Sequence, residues 1–417
     1  MTKNIDTKSK NSINSKAKSA LEKLIRETYV KPINSINSFK ELSETTQLSV
    51  QTLRRFFGKI EKNKNVSKSS LTILCRYVGY ADWDSFVTEI NTEKQLDAKD
   101  KIYIESMKPF FASGEKYFVK YSQETVSVDT LNAYVNVIYK NIENIKYFHK
   151  LYKKNNWACD YIYAWLPNYN YFGNTEFRKL LSERVKSTPS KKVKLALCNF
   201  LYFGEFLSAR KCQYTPDIAV IKKHYAAYKK EYPYMPYHEM RYTSILLMDA
   251  KKENNKEVFQ EILGNYLLQL EQTELSDFNK IEILIFFSNT LIWLEEYKLA
   301  YSLLKDKTSF IKDFIDQKPN KNPLHFYGIN LAFVKTTFLI TWVTNGLPPL
   351  KDFTLSDKDF KAPTGLLYKD YIRLMYLLAY ILKETKSKEI EFSTQEIDKL
   401  INKTGYKRAL NLLKQGV

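Results

Sequence analysis

The chain has 417 residues, of which 44% are hydrophobic and 27% charged, a composition that excludes a disordered or collagen-like polymer. Lys and Arg number 65 against 46 Asp and Glu, a net charge of +19, which favours an anionic partner, nucleic acid before membrane surface. Only 11 Gly and 12 Pro leave too few turn-formers for a many-stranded β fold. Apolar residues recur every third or fourth position, so the expected fold class is all-α.

Part of the charge has a second source. Lys, Asn, Ile, Tyr and Phe are abundant, the residues of AT-rich codons, so local clustering and not the total must decide where an anion binds. The cysteines (Cys75, Cys159, Cys198, Cys212) show no CxxC or zinc-type spacing, which argues against a disulfide framework or a metal site, and no cofactor is expected. The start, MTKNIDTKSKNSINSK, has no apolar core, and no run of about 18 apolar residues occurs. The expectation is a cytoplasmic protein with no membrane partner.

Residues 1–17 are polar and without periodicity, a flexible tail. A helix fits 19–29, with Leu21, Leu24 and Ile25 on one face, Ser19 and Glu22 as a capping box, and Pro32 limiting the far end. Ser38 is expected to cap the next helix, with Glu41 at the box position and Phe39 and Leu42 inward. Ser49 caps another, burying Val50, Leu53, Phe56 and Phe57 and stopping at Gly58. Ser67 caps a third, with Leu71, Leu74, Tyr77 and Val78 inward and Gly79 at its end. Asp82 caps the last, burying Trp83, Phe86 and Ile90. Such starts supply a side-chain oxygen to free N–H groups, and glycine tolerates the left-handed turn at the finish.

This alternation predicts a small helix-turn-helix-like N-terminal domain over 18–94. A helix-turn-helix braces one helix across the backbone while the next lays its exposed face in the major groove. The 49–57 helix divides its faces accordingly. Gln51, Thr52, Arg54 and Arg55 point outward and suit base edges or phosphates. Lys59, Lys62, Lys64 and Lys68 follow, a basic loop for flanking phosphates. The predicted partner is double-stranded DNA, read by a homodimer. The competing reading takes Arg54 and Arg55 as a solvated face of a protein-docking bundle.

The stretch 48–86, LSVQTLRRFFGKIEKNKNVSKSSLTILCRYVGYADWDSF, resembles an N-terminal module frequent in proteins of Bacteroidota. Its "TLxRFFG" helix appears at 52–58 and its "TLxxLxxYxGYxxWxxF" segment at 70–86, with Ser70 in place of the usual Thr. The resemblance implies a helix-turn-helix-like fold and leaves the ligand open.

From 95 to 417 the chain reads as an α-helical array with short connections. Loop signals lie near 122–127, 187–190, 232–236, 318–323 and 345–349. The segment 284–304, LIFFSNTLIWLEEYKLAYSLL, is similar to a tetratricopeptide repeat. It has Leu284, Phe287 and Leu291 in the first helix, small Ser288 beside Phe287, and Tyr297, Ala300 and Leu304 in the second. Glu295 stands at the usual Gly and Lys312 at the usual Pro. Looser pairs are 194–208 with 217–230 and 237–250 with 257–270. Stacked pairs leave a concave face for a peptide or protein ligand, and Asn289 would face it.

The aromatic cluster Trp157, Tyr161, Tyr163, Trp165, Tyr169 and Tyr171 reads as helical core, since no basic groove accompanies it. YPYMPYHEM at 232–240 reads as a repeat junction. His149, His224, His238 and His325 are isolated, and neither a phosphate-binding Gly-rich loop nor HExxH nor a nucleophile elbow occurs, so no enzyme is expected. The composite expectation is a DNA-binding transcriptional regulator with a tetratricopeptide-like sensor or partner-binding domain. Its domain order resembles that of the peptide-responsive quorum regulators of Gram-positive bacteria. The alternative is an α-helical interaction scaffold with no nucleic-acid role.

Overall fold

The computed structural model describes residues 17–26, 28–29, 32–60, 66–78, 80, 82–84, 86–87, 96–112, 133–232, 235–308, 331–347, 365–383 and 389–415. Among them every regular element is helical. No helix is long and apolar enough to cross a membrane among these residues. Two compact units are present: Met1–Asp97 with Lys211–Gln213, and Ala98–Arg210 with Tyr214–Val417.

In the first unit a helix covers 17–26, with Ala17, Leu21 and Ile25 fully buried and Leu24 half-buried. Ser19 therefore sits inside this helix and does not cap it. The next helix is Ile36–Thr46, and its cap is Ser35, three residues earlier than expected. Ser35 and Ser38 cap each other's backbone: Ser38 N–H donates to Ser35 Oγ, and Ser35 N–H donates to Ser38 Oγ, both at 3.1 Å. Glu41 instead accepts a hydrogen bond from the Tyr29 hydroxyl at 2.7 Å. Ile33 is buried just upstream, so the chain must turn at Ser35 to keep that side chain in the core.

Ser49 and Ser67 cap Val50–Phe56 and Lys68–Tyr77 as expected, through the N–H groups of Thr52 and Ser70. Gly58 adopts φ +64°. Its N–H reaches Arg55 O at 3.2 Å, and Lys59 N–H reaches Arg54 O at 2.8 Å, the Schellman pairing that satisfies the last carbonyls of a helix. Tyr80 N–H closes the next helix on Cys75 O in the same way; Gly79 and Ile90 lie outside the described residues. Phe39, Leu42, Leu53, Phe56, Phe57, Leu74, Val78, Trp83 and Phe86 form one buried cluster. Cys75 joins it, a small apolar filler whose thiol is pushed up to about 12 by burial.

The second unit is built from helix pairs. Lys191–Ser208 packs on Ile218–Lys229, Pro236–Lys252 on Lys256–Gln272, and Asp277–Trp293 on Tyr297–Leu304. Each first helix also packs on the next pair's first helix, continuing to Leu331–Thr344. The turns share one device, a left-handed residue after the first helix: Ala209 (φ 49°), Asn254 (φ 53°), Glu295 (φ 65°) and Gly346 (φ 71°). After three of them the next N–H bonds five residues back, Asn255 to Ala250 O, Glu296 to Leu291 O and Leu347 to Trp342 O. Glu295, the position where glycine was looked for, does a glycine's work at a cost of about 1 kcal/mol. Lys312 lies outside the described residues.

The array does not stay open. Gly365–Lys383, Glu389–Thr404 and Ala409–Gln415 fold back on the first pairs. Asn170 Oδ1 accepts the N–H groups of Asp370 and Tyr371 at 2.9 and 3.1 Å. The Tyr406 hydroxyl donates to Tyr169 O. Arg408 N–H donates to Leu207 O at 2.9 Å and its Nε to Trp293 O at 3.0 Å, with the guanidinium 3.8 Å from the Phe206 ring. Tyr161, Tyr163 and Tyr169 are buried, and Trp157 stacks on Tyr161. That cluster is core; the Trp165 side chain is outside the described set.

Candidate functional site

The exposed face of the Val50–Phe56 helix is set by what its other face buries. Leu53 and Phe56 face the core, and the turn before it is pinned by buried Leu48, whose carbonyl accepts the Ser43 hydroxyl at 2.6 Å. Gln47, at φ 58°, ends the preceding helix. This fixes the entry of Val50–Phe56 relative to Ile36–Thr46. Gln51 is exposed, and Arg54 and Arg55 are half-exposed, three and four residues from Gln51 and so on its side of the helix. Neither arginine pairs with a carboxylate among the described residues.

Other expected contact residues fare differently. Thr52 is half-buried and spends its hydroxyl on Ser49 Oγ, 2.9 Å away, which makes it part of the cap. Lys59 is exposed. Lys62 and Lys64 lie outside the described residues. Lys68 pairs with Asp84 at 2.5 Å, both side chains about two-thirds exposed (66% and 69%). Such a pair is worth at most about 1 kcal/mol and yields readily to a phosphate. Two cations escaped the sequence reading. Lys18 lies 5.8 Å over the Phe56 ring and Arg26 4.9 Å over Phe57, while Arg26 also bonds Glu22 at 2.7 Å. Their i, i+4 spacing with Glu22 was the available signal.

In the second unit Asn289 is 4% exposed. Its Oδ1 accepts the Tyr371 hydroxyl, which in turn accepts the Trp293 indole N–H at 2.7 Å. The partner of this amide is thus the chain's own returning helix. Asn289 also borders a cavity. Nearby, Glu282 is 4% exposed. Burial pushes its carboxyl up to about 7, against the Tyr237 hydroxyl bonded to it and the charge of Arg241, which both pull it down.

The folded chain therefore holds a proton on Glu282 between the ordinary 4.5 and about 7. Its contribution to stability is complete below the ordinary value and is lost as pH rises through 7. Glu282→Gln, which keeps the hydrogen bond without the charge, is expected to raise the unfolding free energy by about 3 kcal/mol at pH 8. Near pH 4.5 it should change little. Urea unfolding at the two pH values checks this, and equal effects at both would refute it.

Among the described residues no group of three His, Cys, Asp or Glu side chains could hold a metal ion. Burial pushes the thiols of Cys159 and Cys198 up to about 12, which leaves them unreactive. His238 is held near 3 by burial and by the charge of Arg241, so it is neutral at any physiological pH.

No family model, curated protein or solved structure matches the chain.

Proposed function

We propose that the chain is a DNA-binding transcriptional regulator, with a helix-turn-helix-like N-terminal unit and a tetratricopeptide-like helical unit that receives a ligand or partner. It would work in the cytoplasm on double-stranded DNA. The observation that carries this reading is the Gln51, Arg54 and Arg55 face, unpaired among the described residues and presented by a helix whose entry is fixed by the Gln47–Ser49 turn. Arginine in that setting makes bidentate contacts to guanine or to phosphate. Lys59 and Lys68, with Lys18 and Arg26, supply further positive charge for the flanking backbone. Reading as a homodimer would place two such faces about 34–36 Å apart along the duplex.

Fluorescence anisotropy with a genomic fragment library tests it. Binding is expected to weaken steeply with salt, and Arg54→Ala with Arg55→Ala should lower affinity by about 30-fold or more and reduce the salt slope by about 2. Absent or salt-insensitive binding would falsify the reading and leave the interaction scaffold in its place.

A further inference from the structure

A cavity opens in the second unit where Lys191–Ser208, Pro236–Lys252 and Asp277–Trp293 stack. Its volume is about 40 Å3, and it widens into an open mouth. Tyr169, Phe200, Phe203 and Phe286 wall it, and Asn199 and Arg241 bring polar atoms to it. Asn199 is 2% exposed, yet neither its Nδ2 nor its Oδ1 has a partner among the described residues. Arg241 Nε is buried and equally unpartnered, with the guanidinium 4.9 Å over the Phe200 ring. The neighbouring hydroxyls behave otherwise: Thr290 Oγ1 donates to Ser244 Oγ at 3.2 Å. Buried polar groups are ordinarily satisfied. Here both polar atoms of an amide and the Nε of a neighbouring guanidinium are left open at one cavity.

The open atoms define what would satisfy them. Arg241 and Asn199 Nδ2 both donate and so call for an acceptor with two lone-pair sites, a carboxylate. Asn199 Oδ1 needs a donor beside it, an N–H adjacent to that carboxylate. The apolar wall needs a side chain, and the narrow space favours an aliphatic one. We propose that this cavity binds an N-acylated amino-acid carboxylate with an aliphatic side chain. A peptide C-terminus carries this chemistry, and so does a free N-acyl amino acid. The proposal rests on the second unit being the ligand-receiving half of the regulator. It needs no DNA, so its failure and that of the DNA reading are separable.

Calorimetric titration of the full chain tests it. The probes are N-acetyl-L-leucine, an acetylated tetrapeptide ending in leucine, the C-terminal amides of both, and 4-methylpentanoate, which lacks the N–H. Saturable binding of the two acids is expected, with the amides and 4-methylpentanoate weaker by about tenfold or more. A tetrapeptide that binds about tenfold tighter than N-acetyl-L-leucine identifies a peptide source, and equal affinities identify the free acid. Amides that match the acids, or no saturable binding of any probe to about 5 mM, overturn the proposal. Arg241→Gln should erase the preference for acid over amide. Asn199→Leu should abolish binding while raising Tm, because it removes a buried amide that has no partner. Binding that survives Asn199→Leu also overturns the proposal.

Discussion

Gly173→Ala is expected to destabilise the second unit by about 3–5 kcal/mol, at the upper end for a single methyl group. A Cβ at this position would lie 2.2 Å from Thr404 O and 3.0 Å from two backbone atoms of Gly405. Every clashing atom is backbone, so no side chain can swing away. Gly405 itself sits at φ +78°, and a Cβ there would meet Gly173 O at 2.7 Å. Relief requires parting the two segments. That would loosen the Tyr406 bond to Tyr169 and the Arg408 contacts to Leu207 and Trp293.

The loss should be local as well as large. Hydrogen exchange is expected to rise first in Glu389–Thr404 and Ala409–Gln415, with the Val50–Phe56 helix unchanged. Gly264→Ala is the control. That glycine lies within Lys256–Gln272 with nothing within 4 Å of its Cβ position, so alanine should stabilise by up to about 1 kcal/mol. If Gly173→Ala proves as mild as Gly264→Ala in urea unfolding, the close backbone approach is not what holds the ends together.

Arg184→Met should cost a similar amount for a different reason. Arg184 is 1% exposed. Its Nε donates to Asp160 Oδ1 at 2.6 Å, Nη2 to Asn156 Oδ1 at 2.9 Å and Nη1 to Ser187 Oγ at 3.4 Å. Asp160 closes the short Asn156–Asp160 helix just before the wide turn Tyr161–Trp165. Burial holds the Asp160 carboxyl above the ordinary carboxylate value even with Arg184 pulling it down. Methionine fills the volume and leaves that carboxylate buried without its cation, a loss of about 3–5 kcal/mol.

The pH dependence of this loss has a definite sign. Without Arg184, Asp160 must titrate higher still, so protonation removes the stranded charge. The destabilisation should shrink as pH falls from 8 to 5. Arg184→Met with Asp160→Leu should recover most of the loss, since an apolar replacement of a whole buried pair is close to neutral. A double variant no more stable than the single one would show that the arginine acts through packing alone.

Local chemistry was the readable part of the chain. Ser49 and Ser67 stand directly before apolar periodicity with no rival oxygen, and they cap where expected. Around Ser35 and Ser38 two serines share one turn, and the burial of Ile33 decided between them. Spacing alone does not record that. Glu41 looked like a box residue because the Tyr29 that takes it up comes from another helix. In the array, three of the four left-handed turns are carried by Ala209, Asn254 and Glu295 and one by Gly346, so no recurring glycine announces them.

What was least legible depends on contacts between distant residues. The Lys68–Asp84 pair joins a predicted phosphate ligand to a carboxylate from the following helix. Asn199 lies in a run of apolar residues and looks like an ordinary helical amide; only the stack of three helices shows it unpartnered at a cavity. Asn289 was placed on an inner face, and that face proves to be occupied by Tyr371, 82 positions away.

The return of the last helices also sets a timetable. Tyr169 O, Leu207 O and Trp293 O receive their partners from Tyr406 and Arg408. During synthesis the first pairs emerge long before those residues do. Until they do, these carbonyls stay with water. The unit can complete its core only once Tyr406 and Arg408 have arrived. An open stack of repeats tolerates loss or gain of a pair at its end; here a duplicated pair would carry Tyr406 away from Tyr169, so the number of pairs is fixed by closure.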